Sequence, residues 1–138
     1  LSLMILMSAI IYGQDTMTLT IEVTDLQNNN GVVQFSLYNK DNSIPDENYA
    51  NYYKQKISTI TNNSSITTFK NLLEGEYAVN ILHDENEDGI IQKGWVLPIE
   101  GIGFSNLNKI NLFNRPSFKR TKFNLTKNEE ITIKIIYL

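Results

Sequence analysis

A regular alternation of apolar and polar residues is the feature of this sequence that most constrains its fold. Leu19, Ile21 and Val23 alternate with threonine and glutamate side chains, and this period of two is typical of a β-strand with one buried face. Segments of similar character, bounded by turn residues, recur at 33–37, 54–60, 64–69, 76–82, 118–125 and 131–137. Since no segment shows a convincing helical period of 3.6 residues, we predict an all-β fold, an Ig-like antiparallel β-sandwich of about seven strands.

Residues 84–117 interrupt this regular spacing of strands. The segment contains four glycines and two prolines, which favour turns over continuous strands. A structureless connection of this length is unusual inside a compact domain and is commonly functional. We therefore predict one long loop at 84–117 and expect the candidate site to lie there.

The first dozen residues form an apolar run without charge. This run is shorter than the roughly 20 residues that span a bilayer, so we expect residues 1–13 to be a secretory signal segment that is cleaved after Gly13. Cleavage near Ser8 and Ala9, a buried N-terminal strand and a membrane anchor are the alternatives. Residues 14–138 then form a single domain without an integral membrane span, exported to the periplasm, the surface or the surroundings of a bacterium.

The composition excludes several classes of protein. The chain has no cysteine and one histidine, His83, which excludes disulfides, thiolate chemistry and a histidine-rich zinc site. Lysine and arginine number 12 against 15 acidic residues, a net charge of −3, which argues against a nucleic-acid-binding protein. An envelope protein or a glycan is the expected kind of partner.

Several blocks of this sequence resemble one bacterial family, the domain-of-unknown-function family 2141. The blocks include HDEN at 83–86, GFSN at 103–106 and PSF at 116–118, and their order holds from about residue 17 to the end of the chain. The resemblance implies an exported β-sandwich of transthyretin-like or carboxypeptidase-regulatory-like type. It implies no known activity.

An acidic stretch at 84–89 matches the opening of a calcium loop, D-x-N-x-D-G. Such a loop directs side-chain oxygens from its first, third and fifth positions at one cation, while the glycine allows the next carbonyl to turn inward. Trp95 occupies the twelfth position, where a bidentate glutamate is expected, so Glu100, or Asp46 with Glu47, would have to replace it. The candidate calcium ligands are Asp84, Asn86, Asp88, Ile90 and Gln92. An acidic turn that needs no ion is the alternative.

His83 is the only candidate for a catalytic base. Ser105 or Ser117 would be the nucleophile, but neither serine lies in a G-x-S-x-G turn. Asp84 follows His83 directly, and adjacent residues of a strand point to opposite faces. We therefore expect His83 to be hydrogen-bonded at a strand end, and we predict no catalytic residues.

Aromatic residues and charge give two further expectations for the long loop. Trp95, Phe104 and Phe113 either stack on a sugar or pack the loop onto the sandwich. Residues 101–128 carry six cations and no acid, which either face the acidic stretch or form a basic surface for an anionic polymer or lipid. The candidates for a ligand-facing surface are His83, Trp95, Phe104, Ser105 and Asn106.

We therefore expect an exported, non-enzymatic β-sandwich that acts as a binding or structural module with a calcium-stiffened loop. A carbohydrate-binding module of the cell envelope is the alternative, and a hydrolase is a distant third.

Overall fold

The computed structural model describes residues 13–91, 100–111 and 113–137, which contain eight strands and one short helix. Residues 1–12, Gln92 and Trp95 lie outside these ranges, and so do the predictions that rest on them. Within the described residues, no helix is long and apolar enough to cross a membrane. The elements are β1 Met17–Thr24, β2 Val32–Tyr38, β3 Lys54–Ser58, β4 Ser65–Leu72, β5 Gly75–Asp84, β6 Ile102–Phe104, α1 Phe118–Thr121, β7 Phe123–Leu125 and β8 Glu129–Lys134.

The strands form two sheets that pack as a sandwich. The three-stranded sheet has the order β4-β1-β8, and the five-stranded sheet has the order β3-β2-β5-β6, with β7 also paired to β5. The all-β sandwich is confirmed. One pair departs from the antiparallel prediction, because β8 runs parallel to β1.

The alternating apolar residues fill the space between the sheets. Leu19, Ile21 and Val23 of β1 face Phe35 of β2 and Ile81 of β5, and all five are fully buried. Burial of such side chains contributes about 1.5–3 kcal/mol each. The period of two in the sequence therefore corresponds to the inner faces of the sheets.

Tyr77 anchors the start of β5, as a tyrosine corner anchors an Ig-like sandwich. Its side chain is 5% exposed, and its hydroxyl donates a hydrogen bond of 2.7 Å to the carbonyl of Leu73. Burial, followed by the nearby Tyr53, raises the pKa of the Tyr77 hydroxyl.

A second apolar layer covers the outer face of the five-stranded sheet. Tyr38, Ala78 and Leu82 point outward from the sheet and pack beneath Ile44 from one loop and Phe104 of β6. The predicted loop at 84–117, which we call the long connection, is not uninterrupted, because β6 lies within it and pairs with β5. A strand of three residues is too short to show a period in the sequence.

The predicted strand at 118–125 is wrong in its first half. Residues Phe118–Thr121 form helix α1, and only Phe123–Leu125 is a strand. The hydroxyl of Ser117 caps the helix by accepting the Arg120 N–H at 3.2 Å, as serine commonly does. Phe118 and Thr121 are both buried, and their spacing of three residues puts them on one face of a helical turn.

Candidate functional site

The acidic loop begins where β5 ends, against the turn between β1 and β2. Asp84 is the last residue of β5, is buried, and pairs with Val32. Gly31 has a φ of +71°, and a Cβ there would lie 2.0 Å from the Asp84 carbonyl oxygen. Only glycine allows this approach, so the β1–β2 turn fixes the start of the loop.

Hydrogen bonds inside the loop hold the Asp84 carboxylate at its centre. Oδ1 accepts the Asp88 N–H at 3.1 Å, and Oδ2 accepts the Gly89 N–H at 2.7 Å. Gly89 has a φ of +74°, as the sixth position of a calcium loop requires. Asp88 in turn accepts the Ile90 N–H through Oδ1 at 3.0 Å. The backbone thereby positions both carboxylates before any ion is present.

A third carboxylate joins these two from the far end of the long connection. Carboxylate oxygens of Asp84, Asp88 and Glu100 all lie within 4.8 Å of one another. Calcium binds oxygens at about 2.3–2.6 Å, so ligands on opposite sides of one ion are about 5 Å apart. The three carboxylates are therefore spaced to contact a single calcium ion.

The pairing of β5 with β6 explains why Glu100 reaches the loop. Leu82 pairs with Ile102, and the His83 N–H donates to the Gly101 carbonyl at 2.8 Å. Continuing this register places Glu100 opposite Asp84, on the same face of the sheet. Glu100 is 3% exposed.

Gln34 of β2 lies beside the same loop, and the sequence analysis missed it. Its side chain is 3% exposed, and its buried Nε2 has no hydrogen-bond partner among the described residues. Its Oε1 is 3.8 Å from the position that a Cβ on Gly89 would occupy. In sequence, Gln34 reads as a solvent-facing residue of an alternating strand, and nothing local indicates that a second layer covers that face.

Negative charge is concentrated around this face of the sheet. Burial raises the pKa of the Tyr49 hydroxyl, the charges on Asp46, Glu100 and Asp84 raise it further, and the Asn80 side chain acts in the opposite direction. The Tyr49 hydroxyl and Asn80 Oδ1 are both buried, and neither has a hydrogen-bond partner within the described ranges. The acidic loop therefore adjoins a buried polar cluster, Gln34, Tyr49 and Asn80.

The other predicted calcium ligands are placed differently. Asn86 is exposed and donates from Nδ2 to Asp88 Oδ2 at 3.0 Å. Ile90 is predicted to bind through its carbonyl, which stays a prediction, and its N–H donates to Asp88 Oδ1. Asp46 does not belong to the group of three converging carboxylates, and it accepts the Tyr38 hydroxyl and the Ala50 N–H.

His83 is fully buried, and both of its ring nitrogens are hydrogen-bonded. Nε2 lies 2.8 Å from the Asn30 carbonyl, which can only accept, so Nε2 carries the proton. In the neutral ring, Nδ1 then accepts from the Tyr137 hydroxyl at 2.7 Å, and that hydroxyl accepts the Gln27 N–H at 3.0 Å. His83 thus joins the β1–β2 turn to the C-terminal segment.

The remaining surface candidates do not form one surface. Phe104 and Ser105 are buried, which moves them, like His83, from the surface to the interior. Ser105 Oγ donates to the Thr121 carbonyl at 2.6 Å and accepts the Val79 N–H at 2.9 Å. Asn106 is exposed and donates to the Lys122 carbonyl at 2.8 Å. The packing of Phe104 agrees with the interpretation that it joins the connection to the sandwich.

Comparison with known proteins gives one match. Residues 21–134 match the family described as "Uncharacterized protein conserved in bacteria (DUF2141)". No curated protein and no solved structure matches the chain.

Proposed function

We propose that this chain, which belongs to the DUF2141 family of uncharacterised bacterial proteins, is an exported, non-enzymatic β-sandwich module. In this proposal it binds an envelope partner and carries a calcium-stiffened loop. The observation that carries the calcium part is the convergence of Asp84, Asp88 and Glu100. The apolar run at residues 1–12 supports export.

The ligand set of this calcium site would be carboxylates from two parts of the chain and one amide. Asp84 and Asp88 would supply oxygens from the loop and Glu100 one from across the sheet, and Gln34, whose Oε1 lies beside Gly89, is the candidate for an amide oxygen. Calcium takes six to eight oxygen ligands, so bidentate carboxylates and water would complete the shell.

Calcium at this position would cross-link the two ends of the segment between β5 and β6. Asp84 stands at the beginning of the connection, and Glu100 stands just before β6. The pairing of β5 with β6 already brings these two ends together, and an ion bound to both carboxylates would add to this closure by restricting the Asp84 and Glu100 side chains. A stiffened loop loses less conformational entropy when it binds a partner, which is the advantage of a preorganised surface.

The buried hydrogen bonds support a non-enzymatic role. Both ring nitrogens of His83 and the hydroxyl of Ser105 are engaged in bonds that hold the fold together. A base and a nucleophile need free atoms within reach of each other, whereas the polar side-chain atoms of His83 and Ser105 are used in hydrogen bonds within the fold.

Thermal unfolding with and without calcium tests the proposal. An ion that binds the native state stabilises it by about 2.7 kcal/mol at a hundredfold excess over Kd, so the melting temperature should rise with calcium and rise less with magnesium, which demands a tighter octahedral shell. Asp88→Asn and Glu100→Gln should abolish the rise. Glu87→Gln, an exposed acid in the same loop, is the matched control and should keep it.

A melting temperature that does not move with calcium up to about 10 mM, beyond the range of extracellular calcium modules, would contradict the calcium site. Export has a separate readout, the N-terminus of the protein isolated from the cell envelope. Mass spectrometry should find it at or near Gln14, and a species that retains residues 1–12 would contradict the signal segment.

A further inference from the structure

Phe113 is the most exposed of the large apolar side chains that the structure describes, at 94%. It lies in the segment between β6 and α1, far along the chain from the acidic loop. A single exposed apolar residue is ordinary on a protein surface. This one is distinguished by the hydrogen bonds of the residues beside it and by the cations that lie near it in the sequence.

The turn is held by hydrogen bonds on both sides of Phe113. Asn111 Oδ1 accepts the N–H groups of Phe113 and Asn114, each at 2.8 Å. Asn114 then donates from Nδ2 to the Lys109 carbonyl at 2.7 Å and accepts from Arg120 Nη1 at 2.6 Å. The Asn114–Arg120 bond ties the turn to helix α1. These bonds hold the described backbone on both sides of Phe113.

Four cations, Lys109, Arg115, Lys119 and Arg120, lie within seven residues of Phe113 in the sequence, and Asp41 from another loop lies beside Lys119 and Lys122. Residues 101–128 contain no aspartate or glutamate. Lys122 pairs with Glu76, whereas the other cations near the turn form no ion pair within the described residues and are exposed. We call Phe113 and these cations the basic tip; its members are Lys109, Phe113, Arg115, Lys119 and Arg120.

We propose that the basic tip docks on the surface of an anionic lipid bilayer, with the Phe113 ring inserted at the level of the headgroups. An aromatic side chain among lysines and arginines matches the chemistry of that interface, where the ring enters the acyl boundary and the cations meet anionic headgroups. A soluble anionic polymer would meet the cations and could stack a sugar on one face of Phe113, whereas insertion at the acyl boundary removes the whole exposed ring from water, which favours the lipid. The inference goes beyond the proposed function and is independent of calcium.

Cosedimentation with lipid vesicles tests this proposal. The full chain should bind vesicles of equal parts phosphatidylcholine and phosphatidylglycerol, should not bind phosphatidylcholine alone, and should be released as salt screens the charges. Phe113→Ala should weaken binding about tenfold, by loss of the apolar contact, whereas Phe113→Trp should keep it, since tryptophan is favoured at this interface. The matched control is Ile57→Ala, which removes a side chain that is 63% exposed on β3 and should change nothing.

A second pair of variants tests the charges. Lys109→Gln with Lys119→Gln should weaken binding about thirtyfold, from the usual contribution of a cation near an anionic surface. Lys70→Gln with Lys134→Gln, two exposed lysines outside the tip, should have little effect. All these positions are exposed, so melting temperatures should stay unchanged and confirm that each variant folds.

Two results would overturn the proposal. One is the absence of binding to the anionic vesicles. The other is that the protein binds both the anionic vesicles and dextran sulfate, and that Phe113→Ala binds both as tightly as the parent protein. This result would identify the basic tip as a site for soluble polyanions.

Discussion

Replacing Tyr77 tests the register of the sandwich most directly. Its ring is buried in β5, its centroid is 6.5 Å from that of Tyr53, and its hydroxyl reaches the Leu73 carbonyl. Tyr77→Ala removes the whole ring and leaves a cavity, which costs about 3–5 kcal/mol for large aromatic side chains. Tyr77→Phe removes only a neutral hydrogen bond, worth about 0.5–1.5 kcal/mol.

Urea unfolding of the two variants separates packing from hydrogen bonding. Both should unfold in one transition with the slope of the parent protein, so that the midpoint reports the free energy of unfolding. The difference between Tyr77→Ala and Tyr77→Phe is then the contribution of ring packing. A loss below about 1 kcal/mol for Tyr77→Ala, less than the usual cost of such a cavity, would refute the corner and the register of β5.

Two further predictions concern the outer face of the five-stranded sheet. Burial and nearby carboxylates raise the pKa of Tyr49 above its ordinary value of 10.0, so its hydroxyl ionises more readily in the unfolded chain. The free energy of unfolding should therefore fall as pH rises above about 10. In urea titrations at alkaline pH, Tyr49→Phe should make that fall shallower. Gln34→Met replaces a buried amide whose Nε2 has no partner in the described structure. Without calcium, this variant should keep the free energy of unfolding unchanged or raise it by about 1–3 kcal/mol, and in calorimetry it should bind calcium more weakly. A loss of stability without a change in calcium affinity would contradict the assignment of Gln34 to the site.

The strands of the sandwich could be predicted because their signal is local. Leu19, Ile21 and Val23 alternate in sequence and line the same side of β1 in the structure. The direction of pairing could not be predicted, since a period of two is the same in parallel and antiparallel strands, and β8 lies parallel to β1. Helix α1 was missed because four residues are too few to show a helical period.

For the candidate site too, the residues that are close in sequence could be predicted, and those brought together by the fold could not. The D-x-N-x-D-G spacing is contiguous in sequence, so Asp84 and Asp88 could be chosen as candidate ligands from the sequence alone. Glu100 was one of several replacements that the sequence left open, and only the β5–β6 register selects it over Asp46. Gln34 depends on a covering layer that no local pattern reveals.

The outer layer explains why the site lies on this face and not between the sheets. The inner faces meet through apolar side chains, which need no partners beyond good packing. The outer face instead buries polar side chains, those of Gln34, Tyr49 and Asn80, and a buried polar group that stays unpaired costs about 1–3 kcal/mol. Native proteins contain few such groups, and they cluster where a function offsets the cost. These three side chains lie next to Asp84 and Glu100, so the calcium ion that we propose would offset part of this cost.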